Sequence, residues 1–335
     1  MKLPPGKIPI ELLNKVVFKN LGIKCKEIVV GPKAGIDGTV LDLGDKAIIV
    51  SMDPVTGALE KIGWLAVNVN ANDVATFGVK PAFMFSCMLL PENADSKLVE
   101  NISAQMHNAA QEIGIAIVGG HCESTIGLTS PIVVGCVLGF ADKKKYVTAG
   151  EAKPGDNIIL TKSAGIEGTV ILATDKEKTL RKEISSKTIQ NAKNFIKEIS
   201  IVNDALTAYK TGGVHAMHDP TEGGIIGGIH EMADASKLGV RIFKNKIPVR
   251  TETSLICKYF RIDPLQLISS GALLISASPK YTNEIIEKLE IKGIQAKVIG
   301  EFLQNPDERN IILKNSKERV LLRPKSDHLW KALRS

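Results

Sequence analysis

The stretch from His218 to Glu231, HDPTEGGIIGGIHE, constrains this chain more than any other. Its apolar spacing is helical, yet glycine occupies 223, 224, 227 and 228. Each glycine inside a helix costs about 0.5–1 kcal/mol relative to alanine. A load on the order of 2–4 kcal/mol is a sizeable share of a domain's net stability. Asp219 is placed to cap the first turn, and Pro220 suits the first helical position. The glycines form i,i+4 pairs, 223/227 and 224/228, which clear side chains from one face. A face so cleared admits another backbone or a flat ligand. The helix N-terminus adds N–H donors and a partial positive charge suited to an anion. The expectation is a ligand-facing helix.

Around it, hydrophobic periodicity predicts an alternation of strands and helices. A hairpin is expected over residues 38–53, turning at Gly44-Asp45. Helical spacing runs from Ala58 to Phe77, the unbroken apolar run 80–90 reads as a buried strand, and a helix over 96–113 ends at Gly114. IAIVGG and PIVVGCVLGFA read as further strands. The polar segment 142–157 interrupts this pattern and is the best candidate for a linker. Beyond it come a strand at 157–162, helices near 165–173 and 188–211, the glycine helix from 220, and strands at 239–243, 271–277, 294–299 and 310–322. A length of 335 residues allows two domains, expected at 1–150 and 151–335, of α/β or α+β type.

Several functions are disfavoured. GxxxxGK[ST] and GxGxxG are absent, as are HExxH and any Cys/His cluster of zinc-binding spacing. The net charge of +7 is dispersed and aromatic residues make up 4% of the chain, which argues against single-strand stacking platforms and for a solvated lysine-rich surface. The same charge still suits a phosphorylated small molecule. Five scattered cysteines, an N-terminus without a signal-type apolar core and the lack of a membrane-length apolar run point to the cytoplasm.

Acidic residues recur at the ends of apolar segments: Asp37, Asp53, Asp73, Glu123 and Asp219. Brought together, carboxylates repel unless protonated or neutralised. Mg²⁺ is the usual neutraliser where carboxylates meet substrate phosphates. Asp73 sits mid-helix beside Asn72, both poor helix formers in an apolar setting. His121 and Cys122 follow Gly119-Gly120 at an expected strand end, and no neighbour in sequence marks Cys122 as an activated nucleophile.

In this order, GIDG, VSMDP, NVNANDVATFG, IVGGHCE, KSAGIEG and MHDPTEGG resemble the aminoimidazole ribonucleotide (AIR) synthetase superfamily over roughly residues 30–302. Within it the pattern is most similar to the HypE hydrogenase expression/formation proteins. The resemblance implies a two-domain subunit, an N-terminal mixed sheet with helices that dimerises, and a C-terminal α/β domain. It implies ATP and Mg²⁺ between the domains and γ-phosphoryl transfer that activates an amide-type carbonyl or a small molecule. It further implies Asp37, Asp53 and Asp73 at the metal, and Asn72, Gly119, Gly120, Asp219, Thr221, Gly223 and Gly224 at the nucleotide. Asp73, His121 and Glu123 are then the catalytic candidates. HypE carries its substrate on a C-terminal cysteine, whereas this sequence ends SDHLWKALRS and its last cysteine is Cys257. The expectation is therefore a different acceptor, small or borne on another protein. A kinase similar to thiamine-monophosphate kinase and a nucleotide-binding maturation factor without turnover are the alternatives.

Overall fold

The computed structural model describes residues 10–33, 35–56 and 59–334; the N-terminal stretch 1–9 and the expected helix start at Ala58 lie outside them. Two sheets organise the chain. The first contains β1 (Ile28–Val30), β2 (Thr39–Asp42), β3 (Lys46–Val55), β4 (Pro81–Pro91), β5 (Ala116–Thr125) and β6 (Ile132–Asp142), in the order β1-β2-β3-β6-β4-β5. Only the β4–β5 pair is parallel. The second contains β7 (Asn157–Thr161), β8 (Val214–His218), β9 (Gly239–Phe243), β10 (Leu274–Ala277), β11 (Ala296–Leu303), β12 (Arg309–Ile312) and β13 (Glu318–Val320), in the order β13-β12-β9-β11-β7-β10-β8. Both are mixed sheets backed by helices.

The helix Ile62–Ala75 lies on β3 and β6, and Ser96–Ile113 packs outside it. Asp95 caps the latter through Leu98 N, and Gly114 closes it in a left-handed conformation, φ 81°. The opposite face of the first sheet stays open. Met52, Phe85, Phe83 and Phe140 are 41–62% exposed, and Phe83 and Phe140 meet edge to face. The run 80–90 is therefore a strand with one wet face, not the fully buried strand its unbroken hydrophobicity suggests. No helix among the described residues is long and apolar enough to cross a membrane.

One apolar core crosses from sheet to sheet: Ile49, Val74 and Val137 cluster with Val202, Ala205, Met217 and Ile275. The segment after β6 is no free linker, because Val147, Ala149 and Ala152 are buried. The expected helix over 188–211 is two helices, Ser186–Asn194 and Val202–Thr211, with a tight turn at Phe195–Glu198. The reason is tertiary. Asn72 donates to Ile199 O (2.8 Å) and accepts from Ile201 N (2.9 Å), while Lys162 Nζ takes Glu198 O and Ser200 O. Those groups are turned out of a helical ladder, and the Asn72 pair joins the two halves.

Candidate functional site

Four aspartates converge where the sheets meet. Asp53 projects from β3 with its backbone held by Asn70, whose Oδ1 accepts from Asp53 N (2.7 Å) and whose Nδ2 donates to Asp53 O (3.1 Å). Asp73 comes from the buried helix Ile62–Ala75, Asp37 from the loop before β2, and Asp219 directly follows β8. Ser51 on β3 reaches both Asp37 O (2.8 Å) and Asp73 Oδ2 (2.7 Å). Burial, then the charges of Asp219, Asp53 and Asp37, push the Asp73 carboxyl well above its ordinary 3.8, and the Ser51 hydroxyl offsets only part of this. A fully buried acid under the field of three others is a place short of positive charge.

One protein cation is already there. His218, 1% exposed, presents Nδ1 to the Asp37 carboxylate and Nε2 to Glu231, each at 2.8 Å. With a carboxylate at both nitrogens, both must donate, which defines an imidazolium. Burial opposes that charge, but Asp37 and Glu231 outweigh it and hold the ring well above 6.5. Ligand atoms of Asp37, His218 and Asp219 lie within 4.8 Å of one another. An imidazolium is not a metal ligand, so His218 stands as a fixed charge beside Asp37, whose carboxylate keeps further lone pairs. Asp37 and Asp219 offer hard oxygen donors within that distance of each other, and Asp53 and Asp73 stand near enough for their charges to act on one another, a carboxylate set of the kind Mg²⁺ takes beside phosphate. The residues fit that ion.

The glycine helix does not start where its sequence suggests. It spans Gly224–Ser236, with Gly223 left-handed at φ 85° in front of it. Asp219 lies in the acidic cluster instead of capping it, and Asp327 Oδ2 accepts from Gly223 N at 2.7 Å. Nor is the cleared face open to a ligand. A Cβ on Gly224 would stand 2.6 Å from Leu267 O, one on Gly227 2.9 Å from Glu222 O, and one on Gly228 2.9 Å from Pro220 Cβ. The chain's own backbone fills the space, and the glycine burden is a packing requirement. Thr221, half-buried, lies in the turn between Pro220 and the helix.

Three other expectations change. Asn72 spends its amide on residues 199 and 201, so it joins the halves. Gly119 and Gly120 lie within β5, not in a turn, and His121 and Glu123 stand exposed on that edge strand, bonded to each other at 3.1 Å. Asp53 pairs across β6 with Gly135, which faces Ser86 on β4, which faces Gly120. Three strand spacings, about 14 Å, separate Gly120 from Asp53. Within one subunit, His121 and Glu123 are not part of the aspartate cluster.

The AIR synthase related protein N-terminal domain matches residues 35–141, and the corresponding C-terminal domain matches residues 153–312. The chain belongs to the AIR synthase related family. A Methanocaldococcus jannaschii protein named for hydrogenase expression/formation is 27% identical over 304 residues, 88% of each chain. A solved HypE–HypF complex aligns with a TM-score of 0.79 at 22% identity, covering 93% of this chain and 99% of the other. HypE solved in complex with ATP aligns at a TM-score of 0.73 and 20% identity over 98% of each. In this family member the sheets meet around the aspartates, and sequence reasoning missed four residues that shape that meeting: Ser51, Asn70, His218 and Glu231. His218 stands beside Asp219 in the motif, but its partner Asp37 is 181 positions away, and no local pattern announces such a pair.

Proposed function

We propose that the chain is an ATP- and Mg²⁺-dependent phosphoryl-transfer enzyme whose centre is the cluster of Asp37, Asp53, Asp73 and Asp219. The carrying observation is the buried Asp73 carboxyl, driven toward its protonated form by burial and three neighbouring acids. Bound Mg²⁺ would neutralise phosphate charge. Asp53, Asp73 and Asp219 would hold it, and His218 would keep Asp37 in place. Catalysis of this kind is positioning and charge compensation around a spread-out phosphoryl group, for which carboxylates and a cation suffice. A HypE of the same fold has been solved in complex with ATP, which supports nucleotide as a ligand of this chain.

Gly223 and Gly224, which fix the turn behind Asp219, would act on the nucleotide through that turn, together with the half-buried Thr221 ahead of it. The exposed row Met52, Phe85 and Phe83, continued by the free edge of β5, suits a second copy of this chain. His121, Glu123, Gly119 and Gly120 would reach a nucleotide only across such a dimer. The acceptor is a small molecule or a group on another protein; a HypE of this fold is known in complex with HypF. Five cysteines without a disulfide suit a reducing cytoplasm.

Titration calorimetry with a non-hydrolysable ATP analogue tests the reading. Binding is expected to require Mg²⁺ and to drop at least about tenfold, roughly 1.4 kcal/mol, in Asp53→Ala and Asp73→Ala. Binding indifferent to both substitutions would reject it.

A further inference from the structure

A second acidic site, built differently, lies beside the first. Glu167 occupies the first turn of the helix Ile166–Asp175; its stem is partly exposed, but Oε2 is buried and, Ser270 apart, accepts no hydrogen bond among the described residues. Ser270, 1% exposed, has an Oγ that is likewise buried and, Glu167 apart, without a hydrogen-bond partner. The two are neighbours. Burial pushes Glu167 up to about 7, Ser270 offsets part of that, and the charges of Asp327 and Glu222 add to it. These are the titratable groups that bear on Glu167, and none is a cation. Glu167 joins no ion pair among the described residues. Asp327 is already engaged, accepting from Gly223 N and Leu329 N at 2.7 Å each.

Ser270 belongs to a short segment that links this site to the aspartates. Ser269 N donates to Pro220 O (3.1 Å), next to Asp219, and Ser269 Oγ accepts from Gly165 N (2.8 Å), at the start of the Glu167 helix. Gly271 lies against Ile166 and Ile199, and Ile199 O accepts from Asn72 beside Asp73. A ligand at Glu167 and Ser270 would therefore be joined to the segment that carries Asp219 through Ser269 and Pro220.

Apart from each other, neither the Glu167 oxygen nor the Ser270 hydroxyl has a hydrogen-bond partner among the described residues, and a buried polar atom left short in this way costs about 1–3 kcal/mol. Water could supply hydrogen bonds but not the missing charge. A planar cation with several N–H groups supplies both, and its fork matches a carboxylate oxygen and a hydroxyl side by side. We propose that Glu167 and Ser270 bind the guanidinium or amidinium head of a small-molecule ligand, and that this ligand is the acceptor. Only the word acceptor rests on the proposed function; the binding itself needs no nucleotide.

The test is calorimetric titration of the full chain, without nucleotide, by methylguanidinium and by the neutral N-methylacetamide. Methylguanidinium is expected to bind at about pH 8 and about 30-fold more weakly at about pH 5.5, since each pH unit below the Glu167 pKa withdraws a tenfold share of the carboxylate. Glu167→Gln is expected to abolish binding and Ser270→Ala to weaken it about tenfold, both with a melting profile close to that of the wild type at about pH 5 and unchanged affinity for the Mg²⁺–ATP analogue. The proposal is overturned if methylguanidinium does not bind at about 20 mM, weaker than about −2.3 kcal/mol, if the neutral amide binds equally well, or if Glu167→Gln makes no difference. Loss of nucleotide affinity in the wild-type chain would strike the proposed function and leave this site standing.

Discussion

Replacing Glu167 by glutamine keeps the shape of the side chain and removes its ionisation. The ordinary pKa of 4.5 is raised to about 7 in the folded chain, chiefly by burial. A carboxyl raised in this way favours the protonated fold: its contribution is fully present below the unfolded value and is lost as pH rises through about 7. At about 1.36 kcal/mol per pH unit, the interval amounts to roughly 3 kcal/mol, and the partly exposed stem trims it toward about 2. Glu167→Gln is therefore expected to be more stable than the wild type by about 2–3 kcal/mol at about pH 8, and by less than about 1 kcal/mol at about pH 5. For a chain of this size, that is a rise in melting temperature of about 4–6 °C at the higher pH. Differential scanning calorimetry on both proteins across the range reads it directly. Asp327, raised to about 6, adds a pH slope of its own, but that slope is largely common to both proteins and drops out of the difference. A gap that stays constant with pH, or a glutamine variant less stable at about pH 8, would refute the reasoning.

Gly224→Ala is expected to destabilise the chain by roughly 2–4 kcal/mol despite its better helix propensity, because Gly224 has φ 62° and its Cβ would press on Leu267 O at 2.6 Å; urea unfolding measures this, and a gain in stability would contradict it. Asn72→Ala should cost roughly 2–4 kcal/mol by leaving Ile199 O and Ile201 N buried without partners. Amide exchange in 199–201 should accelerate in that variant, and unchanged exchange would remove Asn72 from its joining role.

Most of the secondary structure was legible because its periodicities are local. The hairpin at Gly44-Asp45 and the Asp95-to-Gly114 helix rest on short-range caps and turns and came out as expected. The expectations that failed are those settled by distant partners. The break after Phe195 depends on Asn72 and Lys162, and the late start of the glycine helix depends on Asp327. At the candidate site, the acids at 37, 53, 73 and 219 were legible as carboxylates out of place in apolar surroundings. His218, Glu231, Ser51 and Asn70 were not, since their roles come from contacts across the fold. Glu123 lies apart from the other acids within the subunit, a separation the sequence does not show, because a carboxylate at a strand end looks alike in sequence whether it faces a cleft or an exposed edge.

The proposed chemistry needs a divalent cation held among these aspartates against triphosphate. Anomalous diffraction from crystals grown with Mn²⁺ and a non-hydrolysable ATP analogue locates such an ion without reference to turnover. The expected peak lies at about 2.0–2.2 Å, the first coordination distance of such ions, from carboxylate oxygens of at least two among Asp53, Asp73 and Asp219, with phosphate completing its shell. Nucleotide bound elsewhere, or a cleft in which Asp73 stays protonated and no ion gathers beside Asp219, would contradict it.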